Sequence, residues 1–283
     1  MLDIILDTLS DSIKLLPFLF LTYLIMEYLE HRAGSRMQNA VQKSGGWGPV
    51  IGGVLGAFPQ CGFSAAASNL YAGRVITLGT LLSIYLSTSD EMLPVLISEN
   101  AGIGMILKIT CAKILIGMTA GLIIDAAGRL RRKEAEELRI ERLCERHHCH
   151  CENGILKSAL HHTAEIFLYL LLISFILNML LGVIGEDFLA NLLLNRPVIG
   201  ELAAGLIGMI PNCAASVVIT QLYLKGILNA GAMMSGLLSG AGAGVLVLLR
   251  VNDRRKENAG ILALLYGVGV LTGLIVELLG IWF

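Results

Sequence analysis

The sequence predicts an all-α polytopic membrane protein made of two inverted structural repeats, and three observations carry that expectation. Hydrophobic residues fill 55% of the 283 positions and charged residues only 15%, against about 25% charged in a soluble domain. Apolar stretches recur along the chain, near Ile13–Leu29, Val50–Leu70, Val75–Ser98, Ile103–Ala127, Ala164–Ile184, Val198–Leu224, Ile227–Leu249 and Gly260–Phe283. Most reach the roughly 20 residues that a helix needs to cross a hydrocarbon core. The chain also matches itself at a shift of 152 residues.

The first apolar stretch follows Asp3, Asp7 and Asp11 in place of a basic flank, and no small-residue cleavage site comes after it, so it reads as a permanent helix. The repeat is clearest where Gly56-Ala57-Phe58-Pro59-Gln60-Cys61 meets Gly208-Met209-Ile210-Pro211-Asn212-Cys213. Ser64 then meets Ser216, Leu70-Tyr71 meets Leu222-Tyr223, Gly79 meets Gly231, Ser83 meets Ser235, and Leu86-Ser87 meets Leu238-Ser239. Pro, Cys, Ser, Tyr and Gly held in register through an apolar background indicate duplication. The chain divides into a first membrane repeat at 1–128, a charged linker at 129–162 and a second membrane repeat at 163–283.

Orientation follows from Lys and Arg, which short loops retain on the cytoplasmic side. The linker carries Arg129, Arg131, Arg132, Lys133, Arg139, Arg142, Arg146 and Lys157. Arg32, Arg36 and Lys43 follow the first helix, whereas the equivalent loop of the second half, Gly185–Pro197, has only Arg196 against Glu186 and Asp187. Conversely, Arg250, Arg254, Arg255 and Lys256 fill a loop whose counterpart, Glu99–Gly104, has no basic residue. Opposite bias at equivalent loops is what inverted repeats require, with the linker cytoplasmic and both termini outside. The loops flanking Trp47–Tyr71 then lie on one side, so this segment enters and returns. Two forms satisfy that: a re-entrant hairpin broken at Pro59, giving six full spans plus two hairpins, or paired short helices, giving ten spans. Irregular backbone at membrane depth must border protein or a watery cavity, which puts the helix breaks at Pro59 and Pro211 beside a cavity.

The paired motifs Pro-Gln-Cys-Gly-Phe-Ser at 59–64 and Pro-Asn-Cys at 211–213, the segment Ser87-Thr88-Ser89-Asp90-Glu91-Met92-Leu93-Pro94, and a His/Cys-rich linker resemble the ten-helix heavy-metal exporter family. Members of that family are labelled arsenic efflux proteins or manganese transporters. The resemblance covers essentially the whole chain, and it implies an inner-membrane exporter of bacterial or archaeal type with ten spans.

Three residue sets carry candidate chemistry. Gln60-Cys61 and Asn212-Cys213, with Ser64 and Ser216, form symmetry-related carboxamide, thiol and hydroxyl groups beside the breaks, a substrate site whose thiolates suit soft or thiophilic ions. The competing reading treats each Cys as a small buried hydrophobe, the role assigned to Cys111. Asp90 and Glu91 interrupt an apolar stretch at a cost of about 2.5–3.5 kcal/mol per carboxylate at a helix centre, which points to ion coupling. Gly242 stands opposite Asp90 in the repeat, so that site is asymmetric. The competing reading ends a helix there and leaves both acids in water. His147, His148, Cys149, His150 and Cys151 place five consecutive metal-binding side chains in the linker without the spacing of a structural zinc site. They fit metal capture or an incidental polar linker.

Lys108, Lys113, Asp125, Glu165 and Glu277 read as charges near helix ends that reach water, Asp125 and Glu277 being equivalent anchors. No nucleotide-binding loop, nucleophile elbow or zinc-protease motif is present in the sequence, so the chain is not expected to be an enzyme or to hold a cofactor. A net charge of −1 gives no field for nucleic acid. The expected partners are the lipid bilayer, a metal or metalloid ion, a proton or counter-ion and another copy of the chain. The leading expectation is a secondary exporter of a manganese- or arsenic-like ion in the inner membrane. A small-anion permease and a thiol–disulfide oxidoreductase using Cys61 and Cys213 are the alternatives.

Overall fold

A computed structural model describes residues 46–57, 61–89, 92–131, 198–211 and 213–283, together with single helical positions within 16–24 and 160–179. Among the described residues the chain is helical and has no strand. The helices are α1 (Gly48–Gly56), α2 (Cys61–Ala72), α3 (Leu78–Ser87), α4 (Met92–Ser98), α5 (Ile103–Arg131), α6 (Ile199–Gly208), α7 (Cys213–Leu224), α8 (Ala230–Ser239), α9 (Ala243–Val251) and α10 (Arg255–Leu278). Most are short. At 1.5 Å per residue, a helix of 7–12 residues spans about half of a ~30 Å hydrocarbon core, whereas α5 and α10 cross it outright.

The duplication read from the sequence recurs in detail. Helices α2 and α7, and α3 and α8, coincide at both ends under the 152-residue shift. Thr77 and Asn229 cap α3 and α8 equivalently: the Thr80 N–H donates to the Thr77 side chain and the Ala232 N–H to the Asn229 side chain, with extended backbone at both caps. Ser83 Oγ donates to the Pro49 carbonyl and Ser235 Oγ to that of Glu201, both at 2.6 Å, tying α1 to α3 and α6 to α8. A β-carbon on Gly121 would lie 2.5 Å from the Gly79 carbonyl, and one on Gly273 would lie 2.5 Å from the Gly231 carbonyl. Close backbone approach through small residues is how helices associate where lipid removes the hydrophobic drive.

Contacts give each helix its direction. The Asp125 carboxylate, late in α5, accepts from Thr77 Oγ1 at 2.6 Å and from the Gly79 N–H at 2.8 Å, so it lies at the start of α3. This matches the anchoring role expected of it, and a carboxylate there complements the helix dipole. Tyr71 and Arg74, just before α3, bind Glu257 in the first turn of α10. The last turns of α5 and the first of α10 therefore share one end of the molecule. At the other end Glu277, late in α10, lies beside Gly231 at the start of α8, and Met105, early in α5, borders the same space as Glu277. Hence α5 and α10 run antiparallel. Gly48 faces Thr80 and Gly56 faces Ser87, so α1 runs alongside α3. The end of α2 lies near Glu257, at the end of the molecule where α1 and α3 begin. The halves interlock as well, for α2 packs on α9 and α7 on α4.

Helices α3 and α8 are buried over almost their whole length, while α5 and α10 lie outside. In the apolar window of α5 only 22% of residues are buried, against 89% for the run Ala230–Val251 through α8 and α9. Leu107, Leu115 and Ile123 on α5 and Leu271, Ile275 and Leu278 on α10 are exposed. Outward-facing apolar helices of this length mark a lipid-facing wall, and the chain is a multi-pass membrane protein. Cys111, expected to be buried, is exposed on α5, because its position falls on that wall.

The glycine contacts predict a contrast within α10. Gly273→Ala should lower stability by about 1–3 kcal/mol through overpacking against α8, whereas Gly267→Ala, with open space around it, should be neutral or slightly stabilising. Thermal unfolding of the two variants in one detergent measures the difference.

Candidate functional site

The helix breaks of both halves meet inside the protein. A small cavity of about 20 Å³ lies among Thr88 and Ser89 at the end of α3, Met92 at the start of α4, Lys113 of α5, Gly208 at the end of α6, Ser216 of α7, and Gly240 and Gly242 between α8 and α9. That volume holds about one water or one small ion. Glycine makes the geometry possible. Gly242 opens α9 with φ 53° and ψ −141°, a region open essentially only to glycine. A β-carbon on Gly208 would run into the Gly236 carbonyl.

Lys113 enters this centre. Sequence reading sets it among charges near helix ends, but it is in the middle of α5, 1% exposed, and its Nζ donates to the carbonyls of Thr88 and of Leu237, the latter at 3.1 Å. Its repeat counterpart is Leu265, which is fully buried. A lysine in the middle of a 29-residue apolar helix is the signal that would have revealed it.

The other expected site residues divide into two groups. Ser216 borders the cavity. Ser64 is fully buried on α2 and packs on Gly244 of α9, beside a polar knot in which Ser68 Oγ and Tyr85 OH approach to 2.6 Å and both donate to the Gly244 carbonyl. Cys61 and Cys213 are the first residues of α2 and α7, and Pro211 precedes α7, partly buried. Pro59, Gln60, Asp90, Glu91 and Asn212, and the linker set His147, His148, Cys149, His150 and Cys151, lie outside the described residues, as do the side chains of Cys61 and Cys213.

One end of the molecule is tied shut across the two halves. The Arg74 guanidinium grips Glu257 in a fork, NH1 to Oε1 at 2.5 Å and NH2 to Oε2 at 2.8 Å, Tyr71 OH donates to the same carboxylate, and Arg254 adds a longer contact at 3.4 Å. Arg74 also lies over the Tyr71 ring, 5.0 Å from its centroid. The Glu257 hydrogen bonds hold the Arg74 pKa above its ordinary value, so the cation persists. Arg74 has φ 59° where its counterpart Gly226 has φ 72°. A non-glycine residue there costs roughly 1 kcal/mol, which the ion pair offsets. Met105 stands opposite Glu257 in the repeat, and around Gly226 and Met105 the other end holds a cavity of about 390 Å³.

Interior broken helices, a lipid-facing wall and a small cavity among the helix ends are features of a membrane protein of the transporter class. A family model described as "Putative, 10TM heavy-metal exporter" matches residues 1–198; the chain belongs to that family, a transporter family and not a class of enzyme. The match ends just before α6. No curated protein and no solved structure matches the chain.

The fork predicts energetic coupling across the halves. Arg74→Gln and Glu257→Gln should each destabilise the protein, and a double-mutant cycle followed by thermal unfolding should return a coupling of about 1–3 kcal/mol, with additive effects ruling the tie out.

Proposed function

We propose that the chain exports a heavy-metal or metalloid ion by alternating access, its two inverted halves rocking around the central cavity. One observation carries this reading: broken helices from both halves converge on one small cavity, the arrangement in which secondary transporters bind ions at mid-membrane. The antiparallel course of α5 and α10 and the return of α2 toward the start of α1 support inverted repeats, either with re-entrant hairpins, six spans plus two hairpins, or with paired short helices, the ten spans that the family description gives. In this reading Gln60, Cys61, Ser64, Asn212, Cys213 and Ser216 bind the cargo, Asp90 and Glu91 couple its movement to a proton or counter-ion, and the linker cluster captures metal at the cytoplasmic face of the inner membrane. The thiols favour a soft or thiophilic ion and the carboxylates a harder one such as manganese.

A second reading, export of a small anion, draws on the buried positive charge of Lys113 beside the cavity and on helix N-termini that face it. Isotope flux in vesicles, comparing metal with anion, separates the two.

Replacing Cys61 or Cys213 by Ser should lower flux of a thiophilic ion at least about tenfold, the factor that accompanies ~1.4 kcal/mol, and should affect manganese much less. Asp90→Asn should do the reverse. Equal tolerance of all three at matched protein levels would place the site elsewhere. Orientation has its own check: an impermeant external thiol reagent should label Glu186→Cys but not Asp253→Cys, and labelling of both from one side would sink the inverted arrangement.

A further inference from the structure

We propose that the carbonyls of Thr88 and Leu237 form a monovalent-cation site, and that the chain fills it with its own ammonium group, Lys113. The two carbonyls belong to equivalent elements. Thr88 follows the last residue of α3, and Leu237 sits in the last turn of α8. The last carbonyls of a helix lack intrahelical partners, and the helix dipole adds partial negative charge there. Two such ends directed at one point, away from water, present oxygen ligands of the hard, neutral kind that a small monovalent cation accepts. Unpartnered carbonyls at that depth would be costly, and Lys113 Nζ donates to both.

The repeat shows that packing does not require the charge. Leu265 fills the corresponding place in α10, fully buried, so an apolar side chain suits the fold at that register. What differs is the charge delivered to the ends of α3 and α8. The cavity beside the ammonium is of single-ion size, so removal of the side chain would leave room for a hydrated ion or a small amine. The site therefore needs no alkali ion from solution in the native protein. In Lys113→Ala an external cation takes the place of the ammonium. The proposal concerns charge and size at two carbonyls and does not depend on the cargo; only its flux arm rests on the transport reading.

The test compares full-length wild type, Lys113→Ala and Lys113→Met in detergent, with Tm read in sodium, potassium, methylammonium or choline chloride at equal ionic strength. Lys113→Ala should lose about 5 °C or more of Tm, as expected for unpaired buried polar groups. Methylammonium or an alkali ion should restore at least half of that loss saturably, as site binding requires, and choline, too large for the space, should not. Lys113→Met fills the volume without a charge, so it should lose Tm and gain no more from any cation than wild type does. Lys113→Ala should gain more from the rescuing cation than wild type. The proposal is overturned if Lys113→Ala melts like wild type, if no cation raises its Tm more than that of wild type, or if Lys113→Met matches wild type. Should Lys113→Ala fail to accumulate, Lys113→Met and wild type still decide the matter by the same criteria. In vesicles, Lys113→Ala should transport only with the rescuing cation. Thermal rescue without metal flux in wild type would uphold the site and refute the transport reading alone.

Discussion

Helix ends buried inside the molecule are the constraint on which the rest of this structure depends. Each break between short helices frees backbone N–H and C=O groups that would find water in a soluble protein, and in a membrane they must find partners inside the chain. Ser and Thr hydroxyls meet part of the demand by bonding back one turn, as Ser87 does to the Ser83 carbonyl and Thr88 to the Ile84 carbonyl. Lys113 meets another part with a charge. The long helices α5 and α10 make this possible: they form the wall that keeps lipid away from irregular backbone.

The second constraint is the distance between axes. Broken helices reach one centre only if α1, α3 and α5 pack almost backbone to backbone, and the second half does the same with α6, α8 and α10. Glycines at equivalent positions provide the approach, Gly79 with Gly121 and Gly231 with Gly273. Duplication thus preserves the scaffold while the polar groups drift. Thr88, Ser89 and Lys113 face Gly240, Ala241 and Leu265 across the repeat, so a symmetric frame surrounds a chemically one-sided centre.

Much of this was legible in the sequence because it depends on residue types with a single physical use. The self-match at a fixed shift predicted a duplicated frame, and the register of α2 with α7 and α3 with α8 matches that shift. The apolar stretches predicted helices long enough to cross a membrane, and α5 and α10 are such helices. The misjudged residues were those whose meaning depends on azimuth and depth. Cys111 and Lys113 lie two positions apart on α5, so they point in different directions, the thiol outward and the ammonium to the centre. No periodicity in an almost uniformly apolar helix marks which side is which. The tie at Glu257 was hidden for another reason: Tyr71 and Arg74 are far from it in sequence, and only the interlocking of the halves brings them together.

The two ends of the molecule differ although the frame is duplicated. At one end Tyr71, Arg74 and Glu257 join the halves through a forked, half-buried ion pair. At the other the same positions hold Tyr223, Gly226 and Met105, which cannot form it, and the halves leave a cavity of about 390 Å³. The duplicated sequence carries this difference at two positions, Arg74 against Gly226 and Glu257 against Met105, while the tyrosine is kept in both halves, so a change of two side chains is enough to tie one end and leave the other without an ion pair at the same place.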